Sequence, residues 1–272
     1  MKSPVLLIVF NRPESTRKVF ERISRARPSR LYIAADGPRP QNASDGELCA
    51  QVRGVKDRID WPCELKTWCH DDHLGPDRGV AVAINWFFEN EPEGIILEDD
   101  CLPEEAFFAF CEELLERYRE DNRVMHICGI NPLEKWDQEP YGYFFSRHAT
   151  TGGWASWRRA WQLNAFNRSR YETIRRHALF DEYFDTRREK ARWLRSFDLL
   201  SESPDPQARW RDRWAFCRFI QSGLSIVPRE NLVAHLPDGE ANGSWMTLHA
   251  LLHPPFVMRN IETDMRVRIE GR

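Results

Sequence analysis

Gly94-Ile95-Ile96-Leu97-Glu98-Asp99-Asp100-Cys101-Leu102-Pro103 is the stretch on which the fold reading turns. Its short apolar run, 94–97, reads as a strand that runs directly into three acids. Pro103-Glu104-Glu105 then opens an amphipathic segment carrying Phe107, Phe108, Phe110, Leu114, Leu115 and Tyr118. Acidic residues in the first turn of that helix suit its dipole. A strand with a polar end followed by a helix is the unit of an α/β sheet.

Working upstream, the same unit recurs. Val5-Leu6-Leu7-Ile8-Val9-Phe10 is a continuous apolar run of the kind buried on both faces of a parallel sheet. Asn11-Arg12-Pro13 breaks it, and Val19, Phe20 and Ile23 then fall at helical spacing. Residues 31–35 form a second strand, stopped by Asp36-Gly37-Pro38, which completes a βαβ unit. Residues 64–67 suit a third strand and 80–88 a helix. Downstream of the acids, 123–128, 141–146, 224–227 and 232–234 read as further strands. Between Gly153 and Trp214 the chain is dense in Trp, Arg and Asp, and is expected to be helix and loop. The expectation is an open, mostly parallel α/β sheet with helices on both faces and a less regular, mainly helical C-terminal part. It forms one unit over 1–272, split functionally near 150.

At 272 residues, 42% hydrophobic and 30% charged, the chain has the composition of an ordinary globular protein with a sizeable core. A net charge of −3 gives no general attraction to nucleic acid. The apolar run at 4–10 is too short for a signal-peptide core or a bilayer span, and no other segment reaches spanning length. Seven dispersed cysteines with no paired metal-ligand spacing read as reduced thiols. The expected setting is therefore cytoplasmic. Eleven Trp is a high count; aromatic rings serve as sugar platforms or, more commonly, as core.

In open parallel sheets ligands bind at the carboxyl ends of the strands. Three strand ends here are polar: Asn11-Arg12, Asp36-Gly37 and Glu98-Asp99-Asp100. Adjacent carboxylates at a buried strand end repel one another unless a cation compensates. A hard divalent ion bound to a diphosphate supplies that compensation, although an acidic turn before a helix gives the same pattern. Arg12, on a loop entering a helix, suits a phosphate. Asp36 suits a base or ribose, or else an ordinary Asp-Gly turn. His70-Asp71-Asp72-His73 is a solvated loop by its Gly75-Pro76 context, and the run Arg187, Arg188, Lys190, Arg192, Arg195 a solvated helix face. No phosphate-binding loop of the Walker type, dinucleotide fingerprint or serine-hydrolase elbow is present.

With these residues in view, the chain resembles the GT-A-fold nucleotide-diphospho-sugar transferases, and among them a bacterial glycosyltransferase-like family of haemolytic-protein-like sugar transferases. The matching stretches include Phe10-Asn11-Arg12-Pro13, Ala35-Asp36-Gly37-Pro38-Arg39, Trp86-Phe87-Phe88-Glu89-Asn90, the acidic strand end and Gly153-Trp154-Ala155-Ser156-Trp157. A more distant similarity is to the eukaryotic N-acetylglucosaminyltransferases of N-glycan synthesis. The resemblance implies inverting, metal-dependent transfer from a nucleotide-sugar donor, UDP-linked by preference, to a glycan or glycolipid acceptor. By that resemblance Phe10, Asn11, Arg12, Asp36, Leu74, Gly75, Arg78, Glu98 and Asp99 contact the donor. Asp100 holds the divalent metal, Mn2+ or Mg2+, and Asp212 in Trp210-Arg211-Asp212-Arg213-Trp214 is the base. Trp154 and Trp157 are the expected acceptor platform. The alternative is a non-catalytic nucleotide-sugar or glycan-binding module; a nucleotidyltransferase would carry a Gly-rich, Lys-bearing N-terminal loop, which this sequence lacks. The chain departs from its relatives in two places. His73-Leu74-Gly75 stands where they have Asn-Leu-Gly, and no His closely follows Gly239-Glu240, leaving His235 and His249 as the only nearby imidazoles.

Overall fold

Each residue of β1 (Val5–Val9) is buried, because a strand in mid-sheet has both faces covered. The computed structural model describes residues 1–133, 142–181, 183–184, 186–205 and 207–236. From β1 the chain passes through α1 (Pro13–Ala26) to β2 (Arg30–Ala35), and through α2 (Asp45–Arg53) to β3 (Glu64–Cys69). It returns through α3 (Gly75–Asn90) to β4 (Glu93–Glu98), which pairs in parallel with the opposite side of β1. Strand order therefore reverses between β1 and β4. Right-handed crossovers in opposite directions put α1 and α2 on one face and α3 on the other. The packing agrees: Val19, Phe20 and Ile23 join one core cluster, and Val80, Ile84 and Phe87 join another.

Beyond β4 come β5 (Cys101–Pro103), α4 (Glu105–Arg117), β6 (Val124–Cys128), β7 (Tyr143–Ser146) and β8 (Trp154–Trp157). The chain continues through α5 (Arg158–Trp161), α6 (Arg168–Arg176), α7 (Arg187–Glu202), α8 (Trp210–Ile220), β9 (Leu224–Pro228) and β10 (Val233–His235). The main sheet has eight strands in the order β3-β2-β1-β4-β8-β6-β9-β7, and β5 pairs with β10 in a separate ribbon. The run from β3 to β4 is wholly parallel; β8 is antiparallel to both its neighbours, and β7 to β9. The α/β sheet with helices on both faces is as expected. The strand at 141–146 is described only from residue 142 onward.

β8 corrects the reading of 153–214 as helix and loop. It is a four-residue strand between β4 and β6 with every residue buried. A strand covered on both faces shows no polar alternation, so four residues of Trp-Ala-Ser-Trp leave no periodic signal. Its alternation appears only in the packing. Trp154 joins the α3 side of the sheet, whereas Ala155 and Trp157 join the α1–α4 side. A third cluster, centred on Phe197, Phe216 and Phe219, joins α6, α7 and α8.

His126 on β6 is fully buried beside Trp154 and Trp214. Its ring stacks on Trp154 at 4.7 Å and 14°. Trp214 Nε1 donates to His126 Nδ1 at 3.1 Å, so the proton lies on Nε2, which is 2.8 Å from the Thr150 carbonyl oxygen. Burial, aided by the Arg218 cation, pushes the imidazole down to about 3. The unfolded chain takes up a proton near pH 6.5 that the folded chain refuses until about pH 3. The resulting stability is present in full above pH 6.5 and lost as pH falls. Denaturant unfolding at pH 7 and pH 5 is expected to differ by about 2 kcal/mol from this group. His126→Gln should flatten that part of the profile while lowering stability throughout.

Candidate functional site

The acids Glu98, Asp99 and Asp100 lie at the carboxyl end of β4, beside the loop that leaves β1. Asp99 is 4% exposed and ties the two together. Its Oδ2 accepts the Phe10 N–H at 3.1 Å, and its Oδ1 accepts Arg12 Nη1 at 2.9 Å. Burial pushes this carboxyl up to about 7, against the pull of the Arg12 guanidinium. The same Arg12 nitrogen lies 3.4 Å from Asp100 Oδ2. Arg12 thus bridges two of the three acids, across the crevice where strand order reverses. Open α/β sheets bind ligands at such a crevice.

Asp100 continues into the ribbon. β10 runs antiparallel to β5, with His235 opposite Cys101, and the Leu236 N–H donates to the Asp100 carbonyl at 2.8 Å. This pairing carries His235 Nδ1 to 3.8 Å from Asp100 Oδ2. Ligand atoms of Asp100, Cys101 and His235 all lie within 4.8 Å of one another. An ion bonded at about 2.1 Å to each of two ligands spans up to about 4 Å between them, so the carboxylate and imidazole fit one ion. The Cys101 thiol fits less well. It is fully buried, its pKa is pushed well up by burial and by Asp100, and its Sγ lies 3.4 Å from Asp100 Oδ1 as a donor. A carboxylate–imidazole pair suits Mn2+, and a protonated thiol is no ligand for a hard ion. His249 and the Gly239-Glu240 segment lie outside the described residues.

Glu98 meets the other half of the chain. Arg211, in the first turn of α8, donates through Nη2 to Glu98 Oε1 at 2.7 Å and through Nε to Thr151 Oγ1 at 3.2 Å. Its guanidinium lies over the Trp210 ring at 4.6 Å. Arg211 was not among the expected site residues. Its opposite charge beside Asp212 was the available signal, but nothing in the sequence indicates that α8 begins against β4. Asp212 is the next residue. Its Oδ2 is paired with Arg209 Nη2 at 2.6 Å. Burial holds its carboxyl above the ordinary range, with Arg209 opposing. Arg209 itself occupies the left-handed region at φ 53° as the cap of α8.

The remaining expected residues cluster around the ends of β1, β2 and β3. Asn11 Nδ2 donates to Asp45 Oδ1 at 2.9 Å. Asp45 is fully buried and also accepts Arg39 through Nε at 2.6 Å, which holds it well below the usual carboxylate range. The Phe10 ring is 5.4 Å from the Arg39 guanidinium and 4.8 Å from the His73 ring. Asp36 accepts the Leu74 and Gly75 N–H groups at 2.8 and 2.9 Å, holding the N-terminus of α3. Gly37 is required where these loops meet, because a Cβ there would collide with the Asp72 backbone. Arg78 is exposed near the start of α3. Asp71 and Asp72 are also exposed.

Trp154 and Trp157 lie apart from this crevice. Both are 1% exposed, and strand geometry sends residues three apart to opposite faces of the sheet. Trp157 Nε1 donates to the Leu115 carbonyl oxygen at 3.1 Å. The two rings expected as an acceptor platform are thus packed into different core clusters.

No protein family matches this sequence, and no curated protein matches it. Among solved structures, it is similar to a mannosyltransferase from Pyrobaculum calidifontis in complex with GDP-Man and Mn2+, at 13% identity and a TM-score of 0.37. That match covers 57% of this chain and 45% of the mannosyltransferase, so the chain spans less than half of that protein's length. It is also similar to a UTP-bound UGPase from Acinetobacter baumannii, at 9% identity and a TM-score of 0.44, covering 94% of this chain and 96% of that one. An apo UDP-glucose pyrophosphorylase matches at 9% identity and a TM-score of 0.43, covering 86% and 93% of the two chains. Likeness at this level assigns neither a family nor an activity.

Proposed function

We propose that this chain is a metal-dependent glycosyltransferase that moves a sugar from a nucleotide diphosphate, UDP by preference, to a hydroxyl of a glycan or glycolipid. The observation that carries the reading is the convergence at the strand-order reversal. Arg12, Asp99 and Asp100 are joined there by short polar contacts, and His235 arrives beside them on β10. The sequence resemblance to GT-A-fold transferases supports the same reading. By the ordinary inter-strand spacing, the ends of β2 and β3 lie about 10–14 Å from the end of β4. A base at the first and a sugar at the second leave the diphosphate beside Arg12.

In this reading Asp100 and His235 hold Mn2+ or Mg2+, which when bound neutralises charge on the leaving diphosphate. Arg12 binds the phosphates, Asp99 the ribose and Glu98 the sugar, with Asn11, Leu74, Gly75 and Arg78 as further donor contacts. Asp212 takes the proton of the acceptor hydroxyl as the new C–O bond forms at the anomeric carbon and the bond to the diphosphate breaks. Direct displacement of this kind inverts the anomeric centre. The Arg211–Glu98 pair fixes the helix that carries the base against the strand that carries the donor contacts.

Thermal shift with UDP and Mn2+, separately and together, tests the donor site. Asp100→Ala is expected to weaken Mn2+ at least about ten-fold, the smaller loss typical even of residues one shell further out. It should abolish the extra stabilisation that UDP gains from Mn2+. Unchanged metal-linked stabilisation would place the ion elsewhere. A binding module without turnover is the second reading, favoured by the Arg209 cation seated on Asp212. It predicts nucleotide binding with no donor hydrolysis or transfer.

A further inference from the structure

Asp36, which suits a base or ribose and which the resemblance counts among the donor contacts, has a carboxylate that is already engaged. Oδ1 accepts the Gly37 and Leu74 N–H groups at 2.9 and 2.8 Å. Oδ2 accepts the Gly75 N–H at 2.9 Å and faces His73 Nδ1 at 2.9 Å. Two carboxylate oxygens offer about four acceptor sites in total; three backbone N–H groups take three, and His73 Nδ1, its one proton shared with the Gly37 carbonyl, covers the fourth. A base N–H arriving here finds no lone pair unless α3 gives up its N-terminal anchor.

His73 carries the acceptor outward instead. Its Nδ1 is within 2.9 Å of Asp36 Oδ2 and 3.1 Å of the Gly37 carbonyl oxygen, and both are acceptors, so Nδ1 bears the proton. In the neutral ring Nε2 is then an acceptor. Among the described residues Nε2 has no hydrogen-bond partner, and it is not among the sealed, unpartnered side-chain atoms. The ring is 22% exposed and leans on Phe10, the first residue past β1. Orientation, tautomer and outlook are thus all set by neighbours.

We infer that His73 Nε2, held by Asp36 and the Gly37 carbonyl, reads the nucleobase and selects bases presenting a ring N–H there. Those are the lactam bases: uracil and thymine through N3–H, and guanine through N1–H. Cytosine and adenine present a bare ring nitrogen at the same position and meet acceptor with acceptor. This inference rests on the donor reading above and names the base class for it. Asp36 becomes a positioning residue acting through His73.

Calorimetric titration at pH 8, with Mn2+ present, tests this on the intact chain with UDP, 3-methyl-UDP and CDP. The 3-methyl compound exchanges the N3–H for a methyl group, removing the donor and adding bulk at that edge, and is expected to bind at least about ten-fold more weakly than UDP, the cost of leaving one acceptor unpaired. CDP should be weakened similarly. His73→Phe keeps a ring against Phe10 and removes the acceptor, so the difference between UDP and 3-methyl-UDP should collapse to about two-fold or less. Equal binding of UDP and 3-methyl-UDP by the unmodified chain, which needs no variant to fold, overturns the His73 assignment and leaves the donor site standing. Persisting discrimination in a folded His73→Phe variant overturns it as well. Failure of every nucleoside diphosphate to bind removes both the assignment and the donor site.

Discussion

Asp212→Asn is expected to lower turnover of a UDP-sugar, read as donor hydrolysis or as transfer, by about 10²–10⁴-fold. The substitution is nearly isosteric. The amide keeps an oxygen for Arg209 Nη2, which lies 2.6 Å from the present carboxylate, but it has no basicity with which to take a proton. Affinity for UDP and Mn2+ should be unchanged, because the contacts proposed for them lie on β4, β10 and the loop after β1. The pH profile supplies a second readout. Burial holds the Asp212 carboxyl above its ordinary range. A base acts only when ionised, so turnover rises as pH climbs through that raised value and is lost as pH falls. Asp212→Asn should abolish this acid limb. Normal turnover in the variant would move the base elsewhere, and an absence of turnover in the unmodified chain with intact nucleotide binding would favour the binding module.

Trp154→Ala is expected to destabilise the fold by about 3–5 kcal/mol, as a large side chain lost from a packed core does. Trp154 stacks on His126 at 4.7 Å and packs against Trp210 at 6.2 Å and Trp214 at 6.3 Å. Its indole nitrogen is sealed without a hydrogen-bond partner, so the loss is one of packing alone. Trp154→Phe, which keeps a ring in the stack, should cost less. Urea unfolding monitored by far-ultraviolet circular dichroism measures both. If Trp154 were instead a sugar platform, the alanine variant would keep its stability and lose only acceptor affinity. Trp210 and Trp214 belong to α8, so the cavity is expected to loosen the helix that carries Asp212 and to lower turnover as a consequence of packing.

The parallel half of the sheet was legible because its physics is local. Val5–Val9 and the stretches 31–35 of β2 and 94–97 of β4 are continuous apolar runs, and each is followed within two residues by a polar or breaking residue. Those residues also marked one sheet edge, where Arg12 and the acids are found in contact. The turn at Asp36 was equally visible, but its role was not. Whether a carboxylate still has a lone pair to offer depends on which N–H groups reach it, and two of those belong to a helix 38 and 39 residues further on. β8 was missed for the opposite reason: with both faces buried it has no polar phase to read, and its neighbours β4 and β6 give no local hint of an antiparallel insertion.

For the acidic strand end, the sequence alone determined residue types and order: three carboxylates after an apolar strand, a basic loop earlier, and isolated imidazoles far downstream. Only the tertiary structure decided how they share the work. Asp99 turned inward to pin the loop after β1, Glu98 outward to Arg211 across 113 residues, and Asp100 toward a histidine delivered by β10. Chain order gives the chemistry of each group. Partners at hydrogen-bond or ion-pair range are set by strand pairing and by the packing of α8, which no local pattern encodes.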